Sequence, residues 1–279
     1  MIGGVFSSFL SEEKKSDQPA SSVVDIPHLL ARTLEYEEKV PVPTHDGIYR
    51  VSRLVSLCPR QESLMAKHGV EGKSFIDARL KQTFDFGRAF HSVVQNEWLA
   101  KHGLWGIWVC QRCGRRHGPS CHPSKCSCGY EVFLYEEINI KNDSLGIEGH
   151  LDGLIQNGSS RSVLELKTCN SKQYDLCVRM KKRPLESHIK QVQMYMFLSG
   201  CVSAVILYFH KDESYLHQFD VQFDKSVVDD VLSSLKSTRD AIAGGYVVSE
   251  KVCDSYSCTR AKRCSVRDIC FSKGEKRNG

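Results

Sequence analysis

The chain has 279 residues, 41% of them hydrophobic and 25% charged, with a formal net charge of +5. That is enough for one large domain with insertions or two small ones, and enough apolar material to bury a core unaided. No apolar run approaches the roughly 20 residues needed to span a bilayer. The start, MIGGVFSSFLSEEKK, has too short an apolar stretch and no basic n-region for a secretory signal, so a cytoplasmic setting without membrane contact is expected.

Residues 1–24, rich in Ser, Lys and Glu and without periodicity, read as a mobile N-terminal tail ahead of a domain over 25–279. A short helix is expected within 25–38, then a Pro-Val-Pro loop, then a helical region over about 52–68 that carries Cys58. A longer helix is predicted over about 74–101, with Phe86, Phe90, Val93, Val94 and Leu99 spaced as a buried stripe. Residues 105–130 are dense in Cys, Gly, His and Arg and read as a small metal-stapled insertion. Strand-like runs follow at 132–140, 146–156 and 162–168. Asn157-Gly158-Ser159-Ser160 between the last two is a hairpin signal, because Asn and Gly tolerate positive φ. A helix over about 185–198, strands at 204–210 and 215–223, and an amphipathic helix over 225–243 complete the order. It predicts an α/β fold with a mixed central sheet flanked by helices. Local basic runs occur at 181–183 and from Arg260 to Arg277, although most such runs are solvated surface.

The stretch GIEGHLDGLIQNGSSRSVLELKT, residues 146–168, carries the chemistry. A turn centred between Gly158 and Ser159 sets Gln156 against Arg161 and, stepping back, Asp152 against Glu165. Glu165 and Lys167 then share one strand face, with Leu164 and Leu166 on the other. Two carboxylates suit Mg²⁺ or Mn²⁺, hard cations that prefer oxygen ligands. Such a metal polarises a phosphodiester and acidifies water, and a neighbouring lysine stabilises developing negative charge. On these three residues alone, a cross-strand surface ion pair explains the pattern equally well.

Further motifs separate the two readings. Gly87-Arg88-Ala89-Phe90-His91, Gly149-His150-Leu151-Asp152, Glu165-Leu166-Lys167 and Gln191-Val192-Gln193-Met194-Tyr195 occur in that order. In them the chain, from about residue 50 to 270, resembles the PD-(D/E)xK nuclease superfamily, specifically its RecB-like branch. That branch includes CRISPR-associated iron–sulfur exonucleases, AddB-type nuclease domains and phage exonucleases. The resemblance implies a restriction-endonuclease-like core and a Mg/Mn-dependent deoxyribonuclease. An exonuclease acting on DNA ends in recombination, repair or phage DNA metabolism is the first expectation. An endonuclease or flap-processing enzyme, or a non-catalytic DNA-binding module, are the alternatives. His91, Asp152 and Glu165 would be metal ligands with the Leu166 carbonyl, and Lys167 the catalytic lysine. Gln191 and Tyr195, four apart on one helix face, would project to the site or the DNA. DNA with a free end is the implied partner, alongside a recombination or annealing protein.

Thirteen cysteines are unusual in a reducing compartment unless they bind metal, and an odd count does not fit a complete disulfide framework. Cys169, Cys177 and Cys201 are scattered and read as small buried residues. Cys110-x-x-Cys113 and Cys126-x-Cys128-Gly129 look like a zinc ribbon whose second turn is one residue short, with Cys121, His117 and His122 as substitute ligands. Arg112, Arg115 and Arg116 would let this module contact phosphates. Cys253, Cys258, Cys264 and Cys270 cluster in a basic segment, 253–270, and read alone suggest zinc or an iron–sulfur cluster. The RecB-like resemblance implies a [4Fe–4S] cluster stapling the two ends of the domain. Cys58 would be the ligand before the nuclease core, with Cys264, Cys270 and either Cys253 or Cys258 after it.

Overall fold

In the computed structural model, which describes residues 25–272, a small arm precedes the main sheet. The tail expected over 1–24 and the last basic residues, 273–279, lie outside the described residues. Helix α1 (Ile26–Leu34) begins at Asp25, whose side chain accepts a hydrogen bond from the His28 amide at 3.1 Å. Strand β1 (Tyr36–Val40) follows. Strand β2 (Tyr49–Arg50) leads into α2 (Val51–Leu54) and α3 (Pro59–His68). The helix expected over 52–68 is thus broken. Pro59 suits the first turn of α3 but pushes Cys58, just before it, into an extended conformation. Strand β3 (Gly72–Ile76) pairs antiparallel with β1, so α4 (Ala78–Val93) starts later than periodicity suggests. Helix α4 is capped by Asp77 and runs on into a π turn, Val94–Trp98. Its stripe is only partly covered: Phe90 and Val94 are buried, whereas Phe86 is 47% exposed.

Strands β4 (Leu104–Cys110), β5 (Arg116–Cys121), β6 (Phe133–Glu136), β7 (Ile138–Asn142), β8 (Ile147–Leu151), β9 (Gly153–Asn157) and β10 (Ser160–Cys169) come next. A short helix α5 (Ser171–Tyr174) with a π turn, Asp175–Met180, and helix α6 (Glu186–Ser199) connect β10 to β11 (Ser203–His210). Strand β12 (Leu216–Gln222), α7 (Lys225–Gly244), α8 (Thr259–Lys262) and α9 (Arg267–Phe271) complete the chain. The main sheet has the order β12-β11-β10-β9-β4-β5, with β6 also paired to β4. Strands β10 and β11 are parallel, which requires the helical crossover between them, and the other pairs are antiparallel. A second sheet has the order β2-β8-β7.

This is the mixed sheet flanked by helices that the element order predicts. Val163, Ile206 and Tyr208 pack on one side with Val192, Met196, Val228 and Leu235 of α6 and α7. Leu164 and Leu166 pack on the other with Phe90, Val94, Leu104 and Trp108. The middle of strand β10 is therefore covered on both faces, and Glu165 within it is desolvated. The cysteine-rich stretch grows directly out of the sheet: Leu104, Gly106, Trp108 and Cys110 alternate inward along β4, which pairs with β9. Among the described residues, no helix is long and apolar enough to cross a membrane.

Candidate active site

The run expected as one strand over 146–156 is bent at Asp152. Residues before the bend pair with β7 in the second sheet, and residues after it pair with β10 in the main sheet. The hairpin register matches the expectation, with Gln156 opposite Arg161 and Gly153 opposite Leu164. One step further lies Asp152, beside Glu165. Asp152 is held from three sides. Its Oδ2 accepts from the Leu166 amide at 2.6 Å, and its carbonyl accepts from Gln95 Nε2 at 2.8 Å. Its Oδ1 lies 3.3 Å from His91 Nδ1.

His91 projects from α4, which passes over β10. Its Nε2 is 3.1 Å from the Leu166 carbonyl oxygen, which only accepts, so Nε2 carries a proton. Burial works against a charged ring, but Asp152 and Glu137 outweigh it and hold the His91 pKa up at about 10. Glu165 is 2% exposed. Burial, and then the charge of Asp152, pushes its pKa up to about 7. One Glu165 oxygen pairs with Lys167 Nζ. The other, Oε2, is buried and has no hydrogen-bond partner among the described residues. Lys167 Nζ also donates to Gln191 Oε1 at 3.2 Å, and Gln191 Nε2 donates to the Tyr195 hydroxyl at 3.3 Å. Burial opposes the Lys167 charge, yet Glu165 and Asp152 raise its pKa.

Sequence reasoning missed Glu137. It sits at the bend between β6 and β7, inside a run read as one strand, and its Oε1 is 3.9 Å from His91 Nδ1. Gln95 Nε2 spans 3.5 Å to the same oxygen. Ligand atoms of His91, Glu137 and Asp152 all lie within 4.8 Å of one another. A carboxylate interrupting two strand-like runs was the available signal. The donor set of carboxylate oxygens, a backbone carbonyl and one imidazole, with an orphaned buried Glu165 oxygen, fits a hard divalent cation.

The glycine of Gly-x-x-Asp has a steric role. A Cβ on Gly149 would lie 2.7 Å from Tyr195 Cε1 and 3.1 Å from Val51 Cγ2. The two motifs therefore interlock. Gly149→Ala should destabilise the fold by about 1–3 kcal/mol, read as a lower urea midpoint. An unchanged midpoint would mean that the Tyr195 ring gives way freely.

Eight of the thirteen cysteines form two groups of four, and none of the thirteen is in a disulfide. In the first, Cys110 Sγ is 3.6 Å from Cys128 Sγ and Cys113 Sγ is 3.7 Å from Cys126 Sγ, with all four sulfurs within 4.8 Å of one another. The Cys128 amide holds the Cys126 thiol low, at about 5. Cys121 is exposed and outside this set. The His122 ring packs edge-on against Trp108 and Phe133, and His117 against Phe133. In the second group, Cys58, Cys253, Cys264 and Cys270 line one narrow cavity with Arg60, Arg260 and Arg267. Buried Arg60 donates from Nε to Cys270 Sγ at 3.3 Å. Cys258 caps α8, where its sulfur accepts from the Ala261 amide at 3.3 Å, and its side chain also interacts with that of Cys253. Cys169 and Cys177 are buried, and Cys201 is partly so.

A mixed sheet that gathers a bend aspartate, a Glu-x-Lys strand, a helix histidine and a Gln-x-x-x-Tyr helix is similar to the PD-(D/E)xK nucleases of the RecB-like branch. No family model matches the chain. Over 99 residues it is 27% identical to the CRISPR-associated exonuclease Cas4 of Saccharolobus solfataricus, covering 35% of this chain and 45% of the relative. The chain thus spans under half the length of that curated relative. Among solved structures it is similar to SSO0001, at 17% identity over 81% of this chain and 87% of that one, with a TM-score of 0.39. It is also similar to the alkaline exonuclease LHK-Exo of Laribacter hongkongensis, at 12% identity over 72% and 90% of the two chains, with a TM-score of 0.44.

Proposed function

We propose that the protein is a Mg²⁺- or Mn²⁺-dependent deoxyribonuclease of the RecB-like kind, acting as an exonuclease on DNA ends inside the cell. The observation that carries this reading is the cluster of His91, Glu137 and Asp152 ligand atoms beside the buried Glu165–Lys167 pair, one Glu165 oxygen of which meets no donor among the described residues. Asp152, Glu165, the Leu166 carbonyl and His91, as the neutral ring through Nδ1, would hold the cation, with Glu137 completing the set. When bound, the cation supplies positive charge that polarises the phosphodiester and makes water a better nucleophile at neutral pH. Lys167 places an ammonium where negative charge develops on the phosphate. Gln191 orients that ammonium, and Tyr195 in turn orients Gln191. Asp152, through the Leu166 amide, fixes the backbone that presents the Leu166 carbonyl.

The terminal thiol cavity supports a [4Fe–4S] cluster held by Cys58, Cys253, Cys264 and Cys270, with Cys258 left as a helix cap. The Arg60 guanidinium, bonded to Cys270 Sγ, sets a positive charge beside this cavity.

A comparison of linear and covalently closed circular DNA tests the reading. With Mg²⁺ or Mn²⁺, linear DNA should be degraded from its ends while circles persist. Equal degradation of closed circles would make it an endonuclease of the same fold.

A further inference from the structure

The cysteine-rich stretch leads straight into the candidate active site. Its two turns are built alike. Gly114, at φ +69°, lets its amide donate to the Cys110 carbonyl at 2.9 Å, and Gly129, at φ +84°, does the same for Cys126 at 2.8 Å. Two of the six sulfur–sulfur distances, 3.6 and 3.7 Å, match the edge of about 3.8 Å in a tetrahedron with metal–sulfur bonds of about 2.3 Å, and all four sulfurs lie within 4.8 Å of one another. From the second turn the chain enters β6, paired Cys110 to Phe133 and Trp108 to Tyr135, and the residue after β6 is Glu137.

Strand β6 is keyed to the catalytic residues on both sides. The Tyr135 amide donates to Asn96 Oδ1 at 2.7 Å, and Asn96 is the neighbour of Gln95, which holds Asp152. The Tyr135 ring lies so close over β4 that a Cβ on Gly106 would sit 2.1 Å from it. Its hydroxyl is 3.2 Å from where a Gly153 Cβ would be, next to Asp152. The thiols thus set the end of a strand whose other end delivers Glu137.

We propose that Cys110, Cys113, Cys126 and Cys128 hold one structural Zn²⁺, and that this ion braces β6 so that Glu137 stays at the active-site cation. The zinc module is then a support for the catalytic centre and not primarily a DNA-contacting one. Two of its basic side chains accord with this, Arg116 being engaged by Glu136 at 2.6 Å and Arg115 by Ser127, while Arg112 is exposed. The brace rests on the nuclease reading only in taking Glu137 as a residue of a cation site.

The test uses the full chain and needs no cleavage. Zinc content and Mn²⁺ affinity, the latter by electron paramagnetic resonance, are measured on the wild type, Cys113→Ser, Cys121→Ser, Glu137→Gln and the Cys113→Ser/Glu137→Gln double variant. Wild type and Cys121→Ser should carry one zinc. Cys113→Ser should lose it and weaken Mn²⁺ binding on the order of 10-fold or more, as loss of an outer support does. The double variant should be no weaker than Glu137→Gln, because both changes act through one carboxylate. Asn96→Ala, which leaves the thiols intact, should keep zinc and weaken Mn²⁺, so the brace stays testable if Cys113→Ser does not fold. Zinc lost with Mn²⁺ affinity unchanged, or Asn96→Ala binding Mn²⁺ like wild type, overturns the brace. A wild type without zinc overturns the thiolate site itself. A wild type that binds zinc but no Mn²⁺ refutes the nuclease reading and the brace with it.

Discussion

Replacing Lys167 with alanine should slow DNA cleavage by on the order of 10²–10³-fold while leaving divalent-metal binding largely in place. The ammonium is bonded to Glu165 and Gln191 and is not itself a metal ligand. Its removal takes away charge stabilisation that matters most in the transition state, so kcat should fall far more than Mn²⁺ affinity. Asp152→Ala should differ in kind. It removes a proposed ligand and also the acceptor of the Leu166 amide, so metal binding and cleavage should fall together. Single-turnover rates at saturating Mn²⁺, set beside Mn²⁺ affinities, separate the two cases. A Lys167→Ala enzyme within a few-fold of wild type would reduce the lysine to a counter-charge for Glu165.

The second large effect concerns stability. Cys58→Ser should strip iron from the protein and lower its melting temperature by about 10–20 °C. Cys58 and the cysteines beyond residue 250 are far apart in sequence but line one cavity. A cross-link closing a loop longer than 100 residues is worth about 5 kcal/mol in the chain-entropy picture. In a domain of this size, each kcal/mol shifts the melting point by about 2–4 °C. Cys253→Ser should behave like Cys58→Ser, whereas Cys258→Ser should keep its iron and lose only a helix cap. Iron retained by Cys253→Ser and lost by Cys258→Ser would exchange their roles. Iron analysis and thermal unfolding of the same preparations distinguish these outcomes.

The hairpin was legible because two local signals agree: an Asn-Gly turn and strict alternation around Glu165 and Lys167. The same alternation places Leu164 and Leu166 in the core. The bend at Asp152 was not legible, since it arises from one run being shared between two sheets, a tertiary choice that no local pattern encodes. Glu137 was hidden for the same reason, as its carboxylate reaches His91 only because the chain bends between β6 and β7. Periodicity overestimated α4 at both ends of its argument. It could not foresee that residues 72–76 pair with β1, nor that Phe86 is left 47% exposed. The short second cysteine turn looked one residue deficient, yet Gly129 closes it as tightly as Gly114 closes the first.

The most direct test of the carboxylate–lysine centre is a metal titration of cleavage on end-labelled linear DNA, with wild type and Asp152→Ala side by side. The expected result is no product in chelator, product that rises with Mg²⁺ or Mn²⁺ for the wild type, and none for Asp152→Ala at any metal concentration. Cleavage by wild type that is equally fast in chelator, or undiminished in Asp152→Ala, would contradict it.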